Sequence, residues 1–366
     1  MIAITKRLLL LSPLALLARR AVADTAQAAP PPLAAPALAA VTERAITGYM
    51  LPAYQGLAAA SAALLAATRE AASGAPADPP PAVKAAFAAT VAAFAKVDFL
   101  RFGPMADQGR IDRFSYYPDR HGTGARQLRA MLAKADEALL VPGAIAKLSA
   151  AVQGLPAYES LIFGSGSGSE TYDYRWKLAS VIAANLDDIA RDTLDGWTKA
   201  GGWADSMRMP GGRNVVYRDA EEPVIEILKS ITTGLLQMRD QRLLPAIGEG
   251  FAAAKPNRAA FALSDNALAY LKASGTALEQ FAAAADLFSL VPSAAPHLSA
   301  ASAKGFSAYR DGLAANPTWQ AAFADPAAYQ HLRDAFDALK GLEDLYGYRF
   351  PAEAGISPGF NALDGD

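Results

Sequence analysis

The chain has 366 residues, 52% hydrophobic and 19% charged, with a net charge of -2 and no cysteine. That apolar fraction suits a buried core, and the near balance of signs excludes a disordered chain and wholesale nucleic-acid binding, leaving local basic patches open. The missing cysteines exclude disulfides, thiolate catalysis, cysteine-ligated zinc and a lipid-modified cysteine anchor, so packing alone must hold the fold.

Residues 1–23 read as a cleaved signal peptide. Lys6 and Arg7 form a short positive region, and Leu8 to Ala18 is an apolar run interrupted by Ser12 and Pro13. Ala21-Val22-Ala23 has the small-x-small form of a processing site, with Asp24 next. The run is too short for a stable bilayer anchor. Arg19-Arg20 follows the apolar run, so it is not a twin-arginine signal. Removing residues 1–23 takes away basic residues only, which makes the processed chain more acidic. A periplasmic location is expected. Beyond the leader, no stretch is expected to be long and apolar enough to cross a membrane.

Residues 24–40 are rich in Ala and Pro and predict a disordered tether. A first helix is expected from about Val41 to Ala72, broken by the prolines of Gly74 to Pro81. In the second helix Val83, Phe87, Val91 and Phe94 share one face. Residues 102–123 read as a long irregular stretch rich in Arg, Asp and Tyr, the kind of loop that often carries function. A helix from about Thr123 to Leu140 follows, and Gly154-Leu155-Pro156 marks the start of another. Gly164 to Gly168 alternates Gly and Ser without the Lys of a phosphate-binding loop, and reads as a turn. Glu170 to Lys199 predicts a long helix with the stripe Leu178, Ile182, Leu186 and Ile189.

The glycine-rich break at 201–213 is the expected domain boundary. Beyond it Val224, Leu228, Ile231, Leu235 and Met238 step as bundle helices do. Phe261, Leu268, Leu271 and Leu278 mark the next helix. Further helices are expected over 297–314 and from Pro326 to Tyr346, before a polar tail from Gly355. No alternating strand pattern appears. The expected fold is all-α, with two helical bundles over residues 41–205 and 206–366.

Conventional catalytic motifs are missing: there is no Gly-x-Ser-x-Gly elbow and no His-Glu-x-x-His helix. The histidines are His121, His297 and His331. A three-histidine zinc site would need all of them, from three distant segments. His331 and Asp334 share a helix face, as a metal pair or as solvated neighbours, and His121 suits a turn. Asp187-Asp188 and Glu221-Glu222 read as surface charge. Charged and aromatic residues at chain breaks form a stronger constellation: Asp98 and Arg101, then Tyr116, Tyr117, Asp119 and Arg120, then Tyr158 and Glu159. They either converge on a cleft or close into a buried network with Glu159 paired to Arg101. Tyr116, Tyr117, Tyr158 and Trp176 are either partner anchors or packing aromatics.

Three segments stand out together: Arg101-Phe102-Gly103-Pro104 with Tyr117-Pro118-Asp119, Gly154-Leu155-Pro156-Ala157-Tyr158-Glu159 with Phe163-Gly164, and the tail Gly359 to Asp366. In these segments the chain resembles the imelysin family, also known as M75 peptidase-like and related to periplasmic iron-uptake proteins. The resemblance implies two helical bundles, export, a site near the domain junction and a link to iron acquisition. The family motif Gly-x-His-x-x-Glu keeps Gly154 and Glu159 but has Pro156 at the histidine position, and proline has no lone pair for a metal. Glu159 could still serve a hard cation such as ferric iron, with Asp98, Asp119 or tyrosines. Arg101, Tyr117, Asp119, Tyr158 and Glu159 are the expected ligand-binding residues, with Glu159 the metal candidate. The implied role is non-catalytic iron or haem uptake, together with a periplasmic or outer-membrane partner. A metallopeptidase and an interaction scaffold are the alternatives.

Overall fold

The computed structural model describes residues 32–164 and 172–357. The expected signal peptide, the start of the Ala/Pro stretch, the Gly-Ser run beyond Gly164 and the tail from Gly359 lie outside the described residues.

The first helix, α1 (Ala35–Ala72), starts at Ala35 rather than near Val41. Pro36 lies in its first turn, where a missing N–H costs nothing, and the alanines that follow are strong helix formers. Leu38, Val41, Thr42 and Ala45 are buried along one side, so packing holds what composition alone left open. By length and composition α1 could cross a membrane, contrary to the expectation that nothing beyond the leader could. Its hydropathy comes from alanine, and its buried Leu57 and Leu64 sit in the protein core.

Next come α2 (Pro81–Ala95), the short α3 (Arg110–Phe114), α4 (Thr123–Lys134), α5 (Leu155–Ile162) and the long α6 (Tyr172–Thr198). After α7 (Trp203–Arg208) the chain forms α8 (Glu221–Leu236), α9 (Ala267–Ala285), α10 (Ala295–Ala314) and α11 (Pro326–Asp344). The expected stripes on α6 and α8 are buried. Phe261 is the exception to its expected helix. It sits in a turn with φ of 60° ahead of α9 and packs its ring on Tyr270 at 5.1 Å. Among the described residues there is no strand, and the fold is all-α.

The C-terminal part of α1 packs against α2 and α6, and α5 against α6. In the second half α8 and α10 each pack on both α9 and α11, closing a second group of helices. The N-terminal part of α1 packs on α8 and α9, and α2 also touches α9, so α1 and α2 tie the two groups together. Arg208 on α7 adds an ion pair to Glu43 on α1 at 2.7 Å.

Three helices widen into π turns: Ile46–Met50 within α1, Gln237–Leu243 after α8 and Leu345–Arg349 after α11. Each is followed within two residues by a proline: Pro52, Pro245 and Pro351. A proline inside a helix loses its N–H bond and clashes with the carbonyl four residues back. In each case that carbonyl belongs to the π turn, at Gly48, Gln241 and Gly347. The widened turn gives the ring its space, and the helix continues.

Candidate functional site

The π turn after α8 has a chemical consequence. A π turn bonds residues five apart, so Gln237 and Arg242 share a face that an α-helix would split. Both reach Asp98, in the turn after α2. Gln237 Nε2 and Arg242 Nη2 each donate to Asp98 Oδ2 at 2.6 Å, and the Tyr270 hydroxyl donates to the same oxygen. Arg101 Nη2 donates to Asp98 Oδ1 at 3.3 Å, and its Nε to Gln237 Oε1 at 3.2 Å. Asp98 and Arg242 are 3% and 2% exposed, so the pair is shielded from water. Burial works to raise the Asp98 pKa. Arg242, then Arg101, with hydrogen bonds from Tyr270 and Arg242, outweigh it and hold the carboxyl below its ordinary value. The Arg242 donors Nε and Nη1 have no hydrogen-bond partner among the described residues. The guanidinium instead lies 4.6 Å from the Tyr117 ring centroid and 5.6 Å from that of Tyr270.

Beside this cluster an open cleft of about 650 Å³ is bordered by both halves of the chain. Tyr116, Tyr117 and Asp119 come from the loop before α4, Pro156 from α5, Asp240 from the π turn and Arg258 from the second half. Its size is within the range of small-molecule sites. The Tyr117 hydroxyl donates to the Arg258 carbonyl at 2.6 Å, which pins the loop across the junction. Burial pushes the Tyr117 phenol above its ordinary pKa, against the pull of Arg242, so it is a neutral donor at pH 7. Asp119 accepts from the N–H groups of Thr123 and Gly124, both at 2.8 Å, and so secures the start of α4.

Of the five expected site residues, Tyr117 and Asp119 border the cleft, and Arg101 belongs to the buried cluster behind it. Tyr158 is sealed in the core, its hydroxyl 2.6 Å from Thr68 Oγ1 and its ring stacked on Phe87 at 5.5 Å. Glu159 is buried on the inner side of α5 and does not pair with Arg101. Its Oε1 accepts from the Ser264 N–H at 2.9 Å and hydroxyl at 2.6 Å. The turn that presents Ser264 is flanked by left-handed Phe261 and Asp265, at φ of 60° and 59°. Burial raises the Glu159 pKa, and bonds from Ser264 and the Leu263 backbone only partly offset it. Gly154 starts α5 against the backbone of Phe114, where an added Cβ would lie 2.3 Å from the carbonyl oxygen.

Sequence reasoning passed over Gln237, Arg242, Tyr270 and Ser264. The run Arg239-Asp240-Gln241-Arg242, polar and charged in an otherwise apolar bundle helix and ahead of Pro245, was the available signal. His331 and Asp334 stand 4.0 Å apart on an exposed face. Trp176 is buried and donates to the Pro76 carbonyl at 2.8 Å. Among the described residues no three His, Asp or Glu side chains are grouped to hold a metal ion.

The family model for imelysin, Peptidase_M75, matches residues 50–346, and the chain belongs to that family. The fold is similar to that of an imelysin-like protein from Psychrobacter arcticum 273-4, with a TM-score of 0.69 and 18% identity, covering 90% of this chain and 100% of that one. It is also similar to a candidate iron-regulated protein A precursor from Parabacteroides distasonis ATCC 8503, with a TM-score of 0.70 and 14% identity, covering 89% of this chain and 97% of that one. At these identities the likeness establishes a shared fold. A search of curated proteins gives no match.

Proposed function

We propose that this member of the imelysin family is exported to the periplasm and serves iron or haem uptake by binding a ligand in the junction cleft, without catalysing a reaction. The observation that carries the proposal is the cleft itself, where both halves of the chain contribute to a border of tyrosines, carboxylates and the arginines Arg120 and Arg258. Tyrosine faces and arginine suit a flat, carboxylate-bearing ligand such as haem, and oxygen donors suit ferric iron. The link to iron is supported by the name of the Parabacteroides distasonis protein. Export is supported by the basic, apolar and small-x-small order of residues 1–23. The same reading takes the glycine-rich break at 201–213 as the divide between two bundles and includes docking to an uptake partner in the periplasm or outer membrane.

A metallopeptidase needs about three fixed ligands and an open position for water. Pro156 stands where the family motif has histidine, and it brings no lone pair to the cleft. Glu159 Oε1 is occupied by two Ser264 donors. The residues present do not fit a hydrolytic metal at this position.

The test is titration of the processed protein with hemin, followed by its visible spectrum, and with ferric iron, followed by retention on ultrafiltration. Arg258→Ala and Tyr116→Ala are expected to weaken binding by roughly tenfold each, the worth of one charge-assisted or stacking contact. A deletion strain is expected to grow poorly under iron limitation. Normal growth of that strain together with no binding of either probe overturns the proposal.

A further inference from the structure

A second cleft, of about 900 Å³, opens on the first half of the molecule, away from the residues that border the junction. It lies between the C-terminal part of α1, the 108–113 segment with α3, the 140–146 segment and α6. Its lining is unusually basic for a chain with a negative net charge: Arg69, Arg110, Arg113, Lys177 and Arg191. Three carboxylates, Asp187, Asp188 and Asp192, stand on the α6 wall.

The ion pairs decide which of these charges remain available. Arg191 is held by Asp187 at 3.0 Å and also by Asp188. Lys177 is held by Asp173 at 2.7 Å. Arg69, Arg110 and Arg113 have no carboxylate within ion-pair distance among the described residues. Arg110 and Arg113 are half-buried, which makes an uncompensated charge costly. Both are nevertheless held in place, by neutral oxygens. Arg113 Nε donates to Gln153 Oε1 at 2.9 Å and its Nη2 to Asn185 Oδ1 at 3.4 Å. Arg110 Nη1 donates to the Pro104 carbonyl at 2.9 Å. Amide and carbonyl oxygens orient a guanidinium but leave its charge for something else.

The backbone adds to this arrangement. Gln108, which borders the cleft, and Gly109 take left-handed conformations in succession, with φ of 55° and 63°. That turn starts α3 at Arg110. Arg110 and Arg113 are three apart on α3, so they share one face. A non-glycine residue held left-handed beside a cleft is a frequent mark of a functional site.

We infer that this cleft is a second ligand site, one that takes a small multivalent oxyanion, a polycarboxylate or a phosphate, between Arg110 and Arg113 on α3 and Arg69 on α1. The planar guanidinium fork matches both kinds of oxyanion. Asp192 on the α6 wall, in no ion pair among the described residues, would repel an anion that extends past the arginine side. The site is independent of the iron or haem reading and uses none of its residues.

The experiment is calorimetric titration of the processed protein at low salt, with citrate as the polycarboxylate probe and inorganic phosphate as the other. Saturable one-to-one binding of either is expected, and which one binds identifies the class. Added sodium chloride should weaken it, as screening requires. Arg110→Gln with Arg113→Gln should lower the affinity by at least about tenfold, as expected for losing charge-assisted hydrogen bonds. Should that double variant fail to fold, the exposed Arg69→Gln decides, with an expected loss of about threefold or more from one peripheral charge. Arg258→Gln, in the junction cleft, should leave the affinity unchanged, which separates this site from the other. No saturable heat with either probe, or affinity retained in the folded arginine variants, overturns the inference.

Discussion

Asp98 and Arg242 lie 144 residues apart in the chain and meet at 2.6 Å in the interior. The pair joins the end of α2 to the π turn after α8, so it couples the two halves directly behind the cleft. Asp98→Ala would leave Arg242 buried without its countercharge. Breaking one partner of such a pair costs about 3–5 kcal/mol. The expected result is a large fall in the urea midpoint with little change in slope. A loss of about 1 kcal/mol or less, the value of an exposed pair, would contradict the buried geometry.

The same pair sets an acid limit. The folded pKa of Asp98 lies below its ordinary value of 3.8, so the unfolded chain takes up the proton first. Its contribution to stability is complete above the unfolded value and disappears as pH falls through the folded one. Wild type should therefore lose stability on acidification below about pH 4, the ordinary aspartate range. Asp98→Asn, already weaker at pH 7, should lose less over that interval. Parallel acid curves for the two proteins would show that the shift lies elsewhere.

Glu159 has the opposite sign. Its pKa is raised above the ordinary 4.5, so the folded protein holds the proton more tightly than the unfolded chain. Ionisation of Glu159 subtracts stability as pH rises from 4.5 through the folded value. Gln at this position still accepts from Ser264 through its amide oxygen. Glu159→Gln is expected to match or exceed wild type in stability at pH 7, the gain vanishing below pH 4.5. Glu159→Ala leaves the Ser264 donors without an acceptor and should cost about 1–3 kcal/mol. Thermal melts of the three proteins at two pH values check both signs. A Gln variant that loses as much as the Ala variant would point to a role for the charge itself.

Gly154→Ala tests the packing of α5 on the chain before it. The new Cβ meets the Phe114 carbonyl oxygen at 2.3 Å and its carbon at 2.6 Å, and backbone cannot swing aside as a long side chain can. The expected cost is about 1–3 kcal/mol from overpacking. Because α5 carries Pro156 to the cleft, the displacement should also weaken hemin binding. A variant as stable as wild type would mean that α5 has room to move.

Much of the fold was legible because burial repeats with the helical period. The stripe of Leu178, Ile182, Leu186 and Ile189 on α6 and that of Val224, Leu228, Ile231 and Leu235 on α8 needed no partner to be read. The start of α1 at Ala35 was not legible, since alanines next to prolines read equally as helix or tether. The π turns were hidden by averaging over a 3.6-residue period, although Pro52, Pro245 and Pro351 each marked one. The site depended on contacts that no local pattern encodes. Asp98 was within the suspected segment, but its partner depends on the register of α8 against α2. Glu159 was read as a ligand or metal residue, or as a buried partner of Arg101; it is buried, but its partner is Ser264, in a turn whose left-handed residues, Phe261 and Asp265, are not glycine.

Tyr117 makes two separable contacts across the junction. Its hydroxyl donates to the Arg258 carbonyl at 2.6 Å, and its ring faces Arg242 at 4.6 Å. Tyr117→Phe removes the first and keeps the second, at an expected cost of about 1 kcal/mol for the hydrogen bond. Tyr117→Ala removes both. The desolvated cation–π contact is worth about 2 kcal/mol, so the Ala variant should fall well below the Phe variant in urea titrations. The ring also shields Arg242, whose Nε and Nη1 have no hydrogen-bond partner among the described residues. Opening that side to water lets solvent reach the guanidinium and compete with Asp98. The Ala variant should therefore also lose part of the Asp98 acid signature, whereas the Phe variant keeps it. Equal stabilities for Phe and Ala would mean that the ring contributes nothing beyond its hydroxyl.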